Sequence, residues 1–231
     1  MHSTVQSDVF SFEVRDRGGR TSARSYPAGA AGLQTARGVT LALAHGAGAP
    51  QTHPWMVSMA RTLAERGIAV VTFNFLYTEA TRRAPDKNDV LEATWLAAID
   101  AVRARAGSDR LFIGGKSMGG RIATQVAARP EVAVDGLVLL GYPLHPPGKP
   151  AQLRTAHLQH VRAPMLFVQG ARDAFGTREE MEPVVAGLSR GTRLFVVEGG
   201  DHSLAVPKST GITLADTMAR VADEIVRFTS R

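Results

Sequence analysis

The sequence has no cysteine, which excludes disulfides, thiolate metal sites and a cysteine nucleophile. It also lacks any run of about 18 consecutive apolar residues, so no membrane-spanning helix is expected. The opening residues, MHSTVQSDVFSFEV, show no basic stretch followed by an apolar run. No secretory leader is therefore expected, and cytoplasmic residence is the default. Internal repeats and low-complexity tracts are absent. Aromatic residues make up only 6%, and lysines number 4 against 23 arginines.

What is present suits one globular domain. The 231 residues are 44% hydrophobic with a mean hydropathy of −0.05, enough to bury one large core. A single domain is expected over 1–231, with its core at about 38–228. The net charge is +6 and the pI about 10.3, a balance that can signal nucleic acid. Here, however, the cations are scattered along the chain, and the Arg and Ala excess reads as genome base composition. Neither a nucleic-acid nor a membrane partner is expected.

Along the chain, Val9–Val14 alternates as an edge strand does. The Gly- and Ala-rich stretch 18–38 reads as turns or a loose hairpin. From residue 39, strands and helices alternate. Strands are expected at Val39–Ala44, Ile68–Phe73, Arg110–Gly114, Gly136–Leu140, Met165–Gln169 and Leu194–Val197. Helices are expected at about Pro54–Arg66, Asp89–Arg105, Met118–Ala128, Arg178–Leu188 and Leu214–Phe228. Met218, Val221, Ile225 and Phe228 form one apolar stripe on the last of these. Repeated strand–helix units predict an α/β fold with a mostly parallel, doubly wound sheet and helices on both faces. Ligands of such sheets bind beyond the carboxyl ends of the strands.

The chemistry concentrates at that edge. Gly115-Lys116-Ser117-Met118-Gly119 fits G-x-S-x-G between an apolar strand and a small-residue helix. Side chains two residues either side of a nucleophile on so tight a turn would collide, and Gly115 and Gly119 remove them. A phosphate-binding loop, G-x-x-x-x-G-K-[ST], would need glycine where the chain has Arg110. After such an elbow the acid and then the base follow in chain order. Only His202 lies C-terminal to Gln169, in the loop Glu198–Ser203 after the last strand. Asp173 is the first carboxylate after Met165–Gln169, with Asp201 and Glu198 as rivals. The catalytic set is therefore Ser117, His202 and Asp173. Oxyanion donors are expected from the Met118 N–H and, in His45-Gly46-Ala47-Gly48, from the Ala47 N–H, with Gly48 as alternative. His45 itself reads as a hydrogen-bonder that orients its loop. Gly48, Tyr142 and His145 are candidate substrate contacts, although Tyr142 and His145 read equally well as packing residues. The Pro-rich segment 143–150 suggests a rigid wall. About twenty residues are available where a lid would be inserted, so the lid is minimal or absent.

The blocks HGAGAPQTHPWM (45–56), FNFLY (73–77), RRAPDK (82–87), GGKSMGGR (114–121), GYPLHPPGKP (141–150), QGARDAFGTREE (169–180) and GGDHSL (199–204) resemble a family of small predicted α/β-hydrolases related to dienelactone hydrolases. The resemblance covers about 38–228 and implies an α/β-hydrolase fold with Ser117, Asp173 and His202 as triad. Dienelactone hydrolases proper use a cysteine, which this chain lacks. Leu76 stands where the family usually has proline after FNF, a departure expected to alter the pocket wall on the Ala47 side. The expected activity is hydrolysis of a small ester, thioester or related acyl compound, with neither metal nor cofactor. Two alternatives stay open: acyl transfer to an acceptor other than water, and a non-catalytic binding or scaffold module. Some similar domains belong to chromatin-modifying complexes, which keeps the latter open, while a complete triad with both small-residue oxyanion elements argues against it. The sequence leaves the oligomeric state open.

Overall fold

The computed structural model describes residues 7–29, 38–107 and 109–231. Its centre is the largely apolar strand β3 (Val39–Ala44), every residue of which is buried. Strand β3 lies parallel between β4 (Ala69–Phe73) and β5 (Arg110–Lys116). Parallel pairing continues through β6 (Gly136–Leu140), β7 (Met165–Gly170) and β8 (Arg193–Val197). At the other side, β2 (Gly19–Tyr26) pairs antiparallel with β4, and β1 (Asp8–Val14) closes the edge antiparallel to β2. The eight strands run β1-β2-β4-β3-β5-β6-β7-β8.

A strand buried on both faces is apolar on both sides, because successive side chains point opposite ways; the one polar residue of β3, Thr40, has its hydroxyl donating to Asp109 at 3.1 Å. Leu41 and Leu43 face α1 (Pro54–Glu65) and α6 (Leu214–Thr229), whereas Ala42 and Ala44 face α3 (Asn88–Ala106) and α4 (Met118–Ala127). The small residues matter on the second face, where α4 must come close to the sheet. The α6 stripe expected from sequence is buried against the first face. A short α2 (Leu76–Glu79) precedes α3, and α5 (Arg178–Ala186) lies between β7 and β8. Fully buried Trp95 of α3 donates its indole N–H to the Gly119 carbonyl at 3.1 Å, tying α3 to the first turn of α4.

Two expectations need correction. The stretch from Gly19 to Tyr26 is a full strand, with Thr21, Ala23 and Tyr26 buried. Small and polar residues on its buried face mute the alternation that would have revealed it. Residues 30–37 of the same stretch lie outside the described residues. Leu76 does not reach the pocket; it opens α2 and packs over Gly19, where a Cβ would come within 2.8 Å of its side chain. Between β6 and β7 there is no lid, only residues 141–164 with a 3-10 turn at Leu158–His160. No helix among the described residues is long and apolar enough to cross a membrane.

Candidate active site

Ser117 sits between β5 and α4 with φ +50° and ψ −117°. A non-glycine residue with positive φ costs roughly 1–3 kcal/mol, and such strain gathers at functional sites. The surroundings enforce it. A Cβ on Gly115 would come within 2.5 Å of the Ala44 carbonyl oxygen, and one on Gly119 within 2.5 Å of the His45 oxygen. Both obstacles are backbone and cannot swing aside.

The loops after β7 and β8 bring two more groups to Ser117. His202 Nε2 lies 2.9 Å from Ser117 Oγ, and His202 Nδ1 lies 2.8 Å from Asp173 Oδ2. A carboxylate only accepts, so Nδ1 carries the proton and donates, leaving Nε2 to accept from the serine hydroxyl. Asp173 is fully buried. Its Oδ1 accepts from the Phe175 N–H at 2.8 Å and its Oδ2 from the Gln169 amide at 2.9 Å. The rivals are engaged elsewhere: Asp201 Oδ1 accepts from the Ser203 and Ala205 amides, and Glu198 pairs with Arg178. The Phe175 ring lies against the imidazole, centroids 4.2 Å apart.

Among the described residues the N–H groups of Met118 and Ala47 donate to no protein acceptor, and both residues line the cavity beside Ser117. His45 sets the second of them. It is fully buried, and its Nδ1 donates to the Gly46 carbonyl at 2.8 Å. Its Nε2 accepts from the Phe75 N–H at 3.2 Å. Since C=O and N–H of one planar peptide point opposite ways, holding the Gly46 carbonyl inward turns the Ala47 N–H outward. Burial pushes the His45 pKa down to about 4, which keeps the ring neutral for this double role.

The cavity holds about 490 Å³, within the range of small-molecule sites. Its walls are largely apolar and include Trp55, Met56, Pro143 and Phe175. The three expected substrate contacts do not line it. Gly48, at φ +76°, is absent from the lining. Tyr142 is buried on Phe167 with its hydroxyl donating to the Arg154 carbonyl at 2.7 Å. His145 is buried too, bonded to the Pro146 carbonyl and, at 3.2 Å, to Glu180 of α5. These last two brace the wall from behind.

A family model described as an alpha/beta hydrolase domain matches residues 37–230. The chain belongs to that family. Among solved structures it is similar to a serine hydrolase without a lid from Xanthomonas campestris, with TM-score 0.74, 20% identity and coverage of 96% of this chain and 94% of that one. It is also similar to a dienelactone hydrolase from Anabaena variabilis, with TM-score 0.73, 20% identity and 97% of each chain covered. An esterase domain from Rhodothermus marinus gives TM-score 0.71 and 18% identity over 98% of each chain. At these identities the likeness establishes the α/β-hydrolase fold.

Within this α/β-hydrolase, two residues beside the site had gone unassigned from sequence. Gln169, fully buried at the end of β7, accepts from the Tyr142 N–H and donates to both Asp173 and the Gly176 carbonyl. The available signal was one polar side chain closing the apolar run Met165–Val168. Lys116 donates its ammonium to the His202 carbonyl, and burial pushes its pKa down to about 8. Its position inside G-x-S-x-G gave no hint of that contact.

Proposed function

We propose that the protein is a serine hydrolase that cleaves a small ester or thioester through an acyl-enzyme on Ser117. The reading rests on one observation above all, the unbroken hydrogen-bonded run Ser117–His202–Asp173 beside two unengaged amides. In the first step Ser117 Oγ attacks the substrate carbonyl carbon while His202 Nε2 takes the hydroxyl proton. The carbonyl oxygen becomes an oxyanion facing the Met118 and Ala47 N–H groups and the amino end of α4. The oxyanion then collapses, and His202 returns the proton to the departing alcohol or thiol. Water repeats the sequence on the acyl-enzyme, giving the acid and restoring Ser117. Asp173 stays ionised throughout and holds the imidazole in the Nδ1–H tautomer.

Steady-state hydrolysis of 4-nitrophenyl butyrate tests the reading. Ser117→Ala is expected to lower kcat roughly ten-thousand-fold or more, and Asp173→Asn by a comparable factor through loss of the tautomer. Wild-type turnover that survives unchanged in Ser117→Ala contradicts it.

A further inference from the structure

The cavity beside Ser117 carries charge of one sign. None of its lining residues is Asp or Glu, whereas Lys116, Arg121 and Arg154 are cations. Lys116 is engaged by the His202 carbonyl. Among the described residues neither Arg121 nor Arg154 forms an ion pair. Their contacts are long and to neutral oxygens: Arg121 Nη1 lies 3.4 Å from Asn88 and 3.3 Å from Gln125, and Arg154 Nη1 lies 3.5 Å from the Pro143 carbonyl. Other arginines of the chain, such as Arg82 and Arg129, have carboxylate partners.

Both guanidinium groups are half-buried on well-anchored backbone. Arg121 lies one turn after Ser117 on α4, its N–H donating to the Ser117 carbonyl at 3.0 Å. Arg154 is held by its N–H on the Leu144 carbonyl at 2.8 Å and by the Tyr142 hydroxyl on its own carbonyl. Burial, and then the charge of Arg154, disfavour the charged form of Arg121. Glu92 acts on Arg121 only from a distance and is itself paired with Arg129, so an entering anion would be the first directly paired partner of either guanidinium, and their planar forks match a carboxylate.

We propose, on the basis of the hydrolase reading above, that the substrate is an ester or thioester with a free carboxylate, clamped by Arg121 and Arg154 while its scissile carbonyl faces Ser117. The apolar cavity walls take the short body that joins the two groups. Guanidinium–carboxylate bonding then aligns the carbonyl for attack, so the charge contributes to turnover as well as to affinity.

Two ester pairs test this. One compares mono(4-nitrophenyl) glutarate with 4-nitrophenyl butyrate, placing the carboxylate on the acyl side. The other compares 4-carboxyphenyl butyrate with phenyl butyrate, placing it on the leaving side. In at least one pair the wild-type kcat/KM is expected to favour the charged ester by about tenfold or more. Arg121→Gln and Arg154→Gln should pull that ratio towards one, while Arg121→Lys and Arg154→Lys keep part of it. Ratios at or below one in both pairs, or a preference that survives the double Gln variant, overturn the proposal. Calorimetric binding of phenylacetate against phenylacetamide separates it from the hydrolase reading. Phenylacetate preference that the double variant loses, in a protein that turns over no ester, supports the clamp and sinks the hydrolase reading alone. Equal binding of the two, or tighter binding of phenyl phosphate than of phenylacetate, overturns the carboxylate assignment even where ester hydrolysis stands.

Discussion

The floor of the cavity and its wall are built by different means. The floor, from Ala44 to Gly46 and from Gly115 to Gly119, is fixed by backbone against backbone, with approaches so close that a Cβ added at Gly115 or Gly119 has nowhere to go. The wall formed by Pro143, Arg154 and Arg121 rests on well-anchored backbone, but its two guanidinium groups make only longer contacts of their own. A floor of this kind positions Ser117 regardless of substrate. A wall of this kind can change its side chains while the floor stays intact. That division is general to folds whose sites sit on loops over a rigid sheet.

The contrast can be broken most sharply at Gly119. Changing Gly119 to Ala forces a methyl against the His45 and Ala44 carbonyls, and we expect a loss of about 3 kcal/mol or more in urea unfolding. Arg154→Ala on the wall should cost well under half of that. Equal costs would erase the distinction.

A second effect comes from His45 beneath the floor. Its pKa is about 4 in the folded chain against about 6.5 unfolded, so the folded state binds fewer protons between those values. Its contribution is fully present above pH 6.5 and is lost as pH falls towards 4, amounting to roughly 2 to 3 kcal/mol. Unfolding free energies measured at pH 7 and pH 4.5 should show the drop, which half-buried His157, also lowered to about 4, shares, so His45→Gln should remove about half of it. A pH-independent stability over that span contradicts the buried neutral ring.

The smallest effect lies where floor meets wall. Lys116→Met keeps the buried stem but removes the donor to the His202 carbonyl. We expect kcat to fall by about tenfold while the urea midpoint stays nearly unchanged, because the imidazole loses one of its restraints. An unaltered kcat would show that Asp173 and the Phe175 ring suffice to hold it.

The same division explains what could be read from the sequence. Ser117, Asp173 and His202 follow from strand order and from glycines whose necessity is steric, so the structure brings together groups that spacing alone had singled out. The continuous apolar strands and the α6 stripe were legible for the same reason, since burial imposes a period. Strand β2 was not, because Thr21 and Ala23 on its buried face carry little hydrophobic signal. The wall was the least legible part. Whether Tyr142 and His145 face the cavity or brace it depends on contacts with Arg154 and Glu180, which lie 12 and 35 residues away in the chain. Gln169 shows the intermediate case, a polar residue whose oddity in an apolar strand was visible but whose partner was not.

The central claim is that His202 activates one hydroxyl, that of Ser117. Incubation with a fluorophosphonate followed by peptide mass spectrometry tests it directly. The account predicts a single phosphonyl adduct on the peptide containing Ser117, absent in Ser117→Ala and slowed in His202→Ala. A folded wild-type protein that takes up no label, or takes it on another residue, would contradict it.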